Sequence, residues 1–149
     1  MARVIVPLAQ GCEELEAITI VDLLRRAGIE VVTAGLDAQP VRAARGTVLI
    51  PDTTLDAATE SGYDMIVLPG GLPGADHLRD DQRIIDLVRD MHANGRYTAA
   101  ICAAPRVLAR AGLLDNRRVT SFPGGINVDE IPGIEYVEDA VVTDGTIVT

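Results

Sequence analysis

The chain has 149 residues, 48% of them hydrophobic, which suits one domain with a sizeable core and excludes a disordered chain. Its net charge is −9, from 22 acidic against 13 basic residues, which argues against phosphate-backbone binding, so nucleic acid is not an expected partner. No apolar run reaches the length of a membrane span, so no membrane role is expected. "MARVIVPLAQG" leads straight into a strand pattern without the h-region and cleavage site of a signal peptide. Two cysteines, Cys12 and Cys102, do not form a secreted disulfide framework. Together these features point to a soluble cytoplasmic protein.

In chain order, "RVIVPLA" (3–9) predicts a strand. "EELEAITIVDLLRRAG" (13–28) has helical spacing through Leu15, Ile18, Val21 or Asp22, then Leu24 or Arg25, and Gly28 fits the position just past a helix end. "IEVVTAGL" (29–36) is the next strand, which completes a βαβ unit, normally parallel and right-handed. "PVRAA" and "TVLIPD", split by Arg45–Gly46, predict a short hairpin to the side. "YDMIVLPGG" (63–71) is a second buried strand ending in a glycine pair, and residues 80–95 form an amphipathic helix with an Asp-rich start and a glycine stop. "RYTAAIC" (96–102) is a third buried strand, followed by the helix "APRVLARAGLL" (104–114), begun near a proline. "RRVTSF" (117–122) predicts a strand, and Asp144–Gly145 between β-branched runs predicts a closing hairpin.

Apolar strands alternating with helices define an α/β protein: a single domain over 1–149, a three-layer α/β/α sandwich of flavodoxin-like type around a mostly parallel sheet. The pattern ends on a strand at Thr149, and such a sheet needs helices on both faces, so a closing helix is expected to be missing.

Ligands of open α/β sheets bind at the carboxyl ends of the parallel strands, where three loops of this chain fall. "ICAAP" (101–105) places Cys102 on a sharp strand-to-helix turn resembling a nucleophile elbow, although it lacks the G-x-S-x-G pattern. The amides of a helix start favour thiolate there. "PGGLPGAD" (69–76) brings Gly70 and Gly71, whose bare backbone could approach a developing oxyanion. "AQGCEELE" (9–16) brings Glu13, Glu14 and Glu16, carboxyls able to act as acid or base beside a thiolate. Each feature also has a plainer reading. A lone cysteine is usually a small core hydrophobe, a glycine pair is often only a turn, and first-turn carboxylates often serve the helix dipole. Cys12 is open to two readings, a buried neighbour of the site or a resolving thiol. No G-x-G-x-x-G follows the first strand and there is no P-loop. His77 and His92 lack metal-ligand spacing, so neither a cofactor nor a metal is expected.

On "GCEELEAITIVDLLRRAGIEVVTAGL", "YDMIVLPGGLPGA" and "AAICAAPRVLARAGLL", which span almost the whole chain, the sequence resembles the ThiJ/PfpI superfamily and within it the DJ-one/YajL branch. The resemblance implies that Cys102 is the reactive, oxidisable cysteine and that Glu16, protonated, hydrogen-bonds its sulfur. It implies that Gly70, Gly71 and the Ala103 amide form an oxyanion or sulfinate pocket, and that Arg45 stands near the cysteine, often across a dimer interface. It further implies a homodimer, without cofactor, acting as a glyoxalase on methylglyoxal, as a deglycase of its adducts, or as an oxidative-stress chaperone whose cysteine is oxidised to sulfinate. Ala103 replaces the histidine that follows the cysteine in protease-type relatives, and Phe122 stands where many relatives carry an imidazole, so Glu16 is left as the proton shuttle. Relatives continue past Thr149 with a Gly-Pro-Gly strand end and a terminal helix, which agrees with the missing closing helix.

Overall fold

A computed structural model describes residues 1–149. Its centre is a seven-stranded sheet. β1 (Arg3–Leu8) lies between β2 (Glu30–Gly35) and the later strand β6 (Met65–Leu68), with parallel register on both sides: Val4 opposite Val31 and Val4 opposite Met65. The lateral hairpin is the separate ladder of β3 (Val41–Arg42) and β4 (Val48–Leu49), and β5 (Thr53–Thr54) extends the sheet beyond β2. β7 (Tyr97–Ala100) pairs with β6 on the other side. A short parallel pair, β8 (Arg118–Val119) with β9 (Glu135–Tyr136), stands apart. The antiparallel hairpin of β10 (Thr143–Asp144) and β11 (Ile147–Val148) closes the sheet against β7, giving the order β10-β11-β7-β6-β1-β2-β5.

Strand side chains alternate between the two faces, so a strand covered on both sides must be apolar throughout. In β1, Ile5 enters the core under the larger helical layer while Val4 and Val6 enter the other. That larger layer comprises α2 (Leu55–Ala58), α3 (Gly74–Asp80), α4 (Gln82–Ala93) and α5 (Pro105–Arg110), which bury Leu55, Leu78, Ile84, Val88 and Leu108. Each large side chain fully removed from water there contributes about 1.5–3 kcal/mol. The opposite layer is α1 (Glu14–Arg26). The molecule is therefore a three-layer α/β/α sandwich of flavodoxin-like type.

In its first turns the predicted face of α1 is rotated. Leu15 is 73% exposed and Ile18 is exposed, while Glu14 and Ala17 are buried and Ile20, Val21 and Leu24 pack on the sheet. The small Ala17 lets the helix sit close. The Glu14 carboxylate is internal because it accepts the Arg45 amide at 3.0 Å and the Thr47 amide at 3.2 Å, bracing the hairpin against the helix. Burial opposes the charge, but these amides with that of Glu14 itself hold its carboxyl below the usual range.

Three other readings change. The helix predicted from residue 80 begins at Gln82, capped by the Asp81 carboxylate, and the preceding loop contains α3. Only Ala75 and Leu78 give α3 an apolar face, too little periodicity to read. The predicted strand 117–122 shortens to Arg118–Val119 and lies outside the main sheet, because the Phe122 amide donates to the Cys102 carbonyl at 2.8 Å instead of joining a ladder. β5 and α2, both very short, carried no readable pattern. The Asp144–Gly145 hairpin forms as expected, with Gly145 at φ +61°.

Candidate active site

The three loops meet at the carboxyl ends of β1, β6 and β7. Cys102 follows β7 by two residues and has φ +60°, a conformation that costs a non-glycine residue roughly 1–2 kcal/mol. Its surroundings enforce it. The Ile101 amide donates to the Leu68 carbonyl, the Ala104 amide to the Ile101 carbonyl and the Phe122 amide to the Cys102 carbonyl. The backbone is thus a strained elbow, pinned from the neighbouring strand and from the 121–125 loop.

Glu16 reaches the elbow from the first turn of α1, where its Oε2 accepts the Gly70 amide at 2.7 Å. The same glycine offers its carbonyl to the Glu13 amide at 2.9 Å, so the Gly70 peptide is held from both ends by the α1 start. A side chain there would not fit, since a Cβ on Gly70 would lie 2.7 Å from Glu16 Oε2 and 2.8 Å from Cys102 Cβ. Gly71 has φ +85°, and a Cβ there would run into the Glu13 amide. Behind it, a Cβ on Gly74 would lie 2.6 Å from Cys12 Cα, so the β6 loop and the β1 loop are packed backbone to backbone. The Gly71 and Ala103 amides have no backbone acceptor and lie where they favour negative charge on the Cys102 sulfur.

This geometry revises two expectations. The amide of Gly70 is engaged with Glu16, so Gly70 positions the carboxylate while Gly71 and Ala103 supply the free donors. The Cys102 thiol is pushed above its ordinary value rather than below it. Burial is the largest cause, followed by the hydrogen bond to Glu16 and its negative charge, and the two amides oppose them without prevailing. The helix start contributes less than its position suggested, because α5 begins with Pro105, which has no N–H to offer. The negative charge of Glu16 thus works against a second negative charge on the sulfur. Glu16→Gln, which removes the charge but keeps the shape, should lower the Cys102 titration midpoint. The pH dependence of iodoacetamide alkylation reads that shift, and an unmoved midpoint would show that the carboxylate does not govern the thiol.

The remaining candidates separate. Arg45 sits at the hairpin turn with its amide on Glu14, and its side chain makes no hydrogen bond or ion pair to Cys102 or Glu16. Cys12 is a free, buried thiol raised to about 11 by burial and by the nearby Glu14 charge, an inert neighbour rather than a ready resolving thiol. His92 approaches Thr146 at 3.4 Å, and no imidazole hydrogen-bonds any of the three loops. Phe122 is 61% exposed beside the elbow. Two residues were missed: Arg106 donates from Nε to the Ala103 carbonyl at 2.9 Å and from Nη1 to Asp76 at 2.7 Å, fixing the peptide after the cysteine. The signal was present, since an arginine three residues past Ala103 lies one helical turn on.

At one edge of the α/β sandwich the three loops thus bring together a cysteine on a strained elbow, a carboxylate beside it and two amides without backbone acceptors. The DJ-1/PfpI family model matches residues 2–149, and the chain belongs to that family. It is 40% identical over 147 residues to protein dj-1beta of Drosophila melanogaster, covering 97% of this chain and 78% of that protein. It is 32% identical over 140 residues to Caenorhabditis elegans DJR-1.2, named a glutathione-independent glyoxalase, covering 94% of this chain and 74% of that protein. The solved structure of oxidized Toxoplasma gondii DJ-1 superposes with a TM-score of 0.92 at 39% identity, covering 100% of this chain and 81% of that one. No helix is long and apolar enough to cross a membrane.

Proposed function

We propose that the chain is a cofactor-free, cysteine-dependent glyoxalase that converts methylglyoxal to lactate, with deglycation of methylglyoxal adducts as a second use of the same chemistry. The observation that carries this reading is the Glu16 carboxylate at a Cys102 sulfur which also faces the Gly71 and Ala103 amides. Glu16 takes the thiol proton as the sulfur attacks the aldehyde carbon, and the two amides stabilise the resulting alkoxide. Glu16 returns that proton to the oxygen, giving a hemithioacetal. It then removes the C1 proton, leaving a C1=C2 enediolate whose C2 oxygen takes the proton of the C1 hydroxyl, and delivers the abstracted proton to C2 as the C1 oxygen collapses to a thioester. Water cleaves the thioester, releasing lactate and the thiol. The net change is addition of one water, and no external oxidant or reductant is required. Purified protein given methylglyoxal should yield lactate by proton NMR, and absence of lactate above the spontaneous rate would overturn the reading.

A second use of the sulfur is favoured by the same two amides. Peroxide oxygens added to Cys102 would meet donors already in place, which suits a redox sensor or stress chaperone regulated through sulfinate. Mild peroxide should then add about 32 Da, two oxygens, at Cys102. Modification elsewhere, or further oxidation without pause at this stage, would count against it.

The proposed assembly is a homodimer. Ile18 and Leu49 with Ile50, which is 84% exposed, line one groove between α1 and the hairpin, and Leu15 and Val48 are exposed on the same two elements. Such a patch, flanked by Arg45, suits a self-complementary contact in which Arg45 approaches the partner's site. Ile50→Glu should convert the dimer to monomer in sedimentation experiments. A wild-type protein that sediments as a monomer at high concentration would refute the assembly.

A further inference from the structure

A groove of about 680 Å³ runs between α3, α5 and the 124–131 loop, and three of its lining residues are Arg79, Arg106 and Arg110. It adjoins the backbone of the elbow at two carbonyls. Arg106 holds the Ala103 carbonyl, and Gly125, which lines the groove, sits so that a Cβ there would lie 3.2 Å from the Cys102 carbonyl oxygen. The three cations are not equivalent. Asp76 accepts both Arg79, at 2.9 Å, and Arg106, at 2.7 Å, and Asp80 adds a second acceptor to Arg79. Arg110, one turn after Arg106 on α5, is exposed and has no carboxylate within salt-bridge distance and no carbonyl acceptor. Across the groove Glu130 is likewise without an ion-pair partner. The amides of Gly124, Ile126 and Asn127 on the same loop donate to no group within the chain.

We infer that this groove is a subsite for an oxyanion, a carboxylate or phosphate carried at the far end of the carbonyl compound that Cys102 attacks, with Arg110 as its recognition cation. A guanidinium offers parallel donors that match either group, and one already free of internal partners loses no ion pair on binding. Arg79 and Arg106, tied to Asp76 and Asp80, form a fixed, charge-balanced wall that leaves Arg110 as the unpaired cation, and Glu130 sets the opposite rim. The consequence is substrate selection. Methylglyoxal, which has no anionic tail, leaves the groove unused, while aldehydes bearing one gain an anchor. The role as a substrate subsite rests on the Cys102 reading, whereas anion binding itself does not.

The test is therefore made without turnover. Amide shifts of ¹⁵N-labelled protein are followed while glycerol 3-phosphate or glycerate is added, with chloride at equal ionic strength as control. Saturable shifts at Gly124, Gly125 and Ile126 are expected. Arg110→Ala should weaken binding about tenfold, Arg110→Lys should restore part of it, and Glu130→Gln should tighten it. The bound anion should also slow iodoacetamide alkylation of Cys102, and glycerol should not. The two probes separate a carboxylate site from a phosphate site. Shifts reproduced by chloride, shifts indifferent to Arg110, or an anion that binds without protecting Cys102 would each overturn the inference. A protein that binds the anion yet forms no lactate from methylglyoxal would fail the enzymatic reading alone.

Discussion

Cys102→Ser is expected to reduce lactate formation from methylglyoxal by about a thousandfold or more while leaving the fold intact. The substitution exchanges sulfur for oxygen in a side chain of the same shape, so the φ +60° elbow and its three backbone hydrogen bonds persist. What is lost is the nucleophile. A serine hydroxyl is far less acidic than a thiol, and a carboxylate such as Glu16 is too weak a base to activate it. The residual rate should be that of the Gly71 and Ala103 amides acting on bound substrate. The thermal midpoint, measured beside the kinetics, should move by no more than about 2–3 °C, equivalent to less than about 1 kcal/mol at this chain length. Turnover that survived the substitution would place the chemistry on another group and remove the basis of the mechanism.

Gly70→Ala should have the second largest effect, on stability and activity together. The new methyl would approach Glu16 Oε2 at 2.7 Å, Cys102 Cβ at 2.8 Å and the Ile101 carbonyl at 2.8 Å. The Glu16 side chain can swing away, but the other two contacts belong to the elbow. Glu13 also holds the Gly70 carbonyl from the other side. Relief therefore requires the β6 loop or the elbow to shift, at a cost of about 1–3 kcal/mol and a fall in thermal midpoint of roughly 3–10 °C. Displacing Glu16 from the sulfur by even an ångström should lower kcat/KM by about a hundredfold. The Cys102 alkylation midpoint should fall as the carboxylate recedes. An alanine variant with wild-type stability and kinetics would show that the site tolerates a separation the mechanism forbids.

Much of this site was legible in the sequence because its parts occupy positions fixed by the alternation of strand and helix. Cys102, Gly70 and Glu16 each follow a strand whose near-continuous apolar run marks it as buried, and parallel strands present their following loops at one edge. What escaped was set by residues distant in the chain. The face of α1 was misread only in its first turns, at Leu15 and Ile18, because burial of Glu14 depends on the amides of Arg45 and Thr47, some thirty positions later. The strand expected through Phe122 ends early because its amide is claimed by Cys102, twenty positions before it. The Cys102 thiol was expected to be acidic from its place at a helix start. Its behaviour is instead governed by burial and by Glu16, and neither is visible locally.

The choice of Glu16 among Glu13, Glu14 and Glu16 rested on the family resemblance. The sequence pattern by itself determined the class of fold, the order of the central elements, and the three site loops with their candidate cysteine and carboxyls. All of these rest on local periodicity and on residue types whose chemistry does not depend on their neighbours. Only the tertiary structure decided the division of labour among the glycines, the direction in which the thiol is pushed, the isolation of Cys12 and the alignment of three arginines beside the elbow. Each of these is a matter of angstrom-scale separations between segments far apart in the chain. The underlying energies, electrostatic attraction, desolvation and steric contact, vary steeply with that separation.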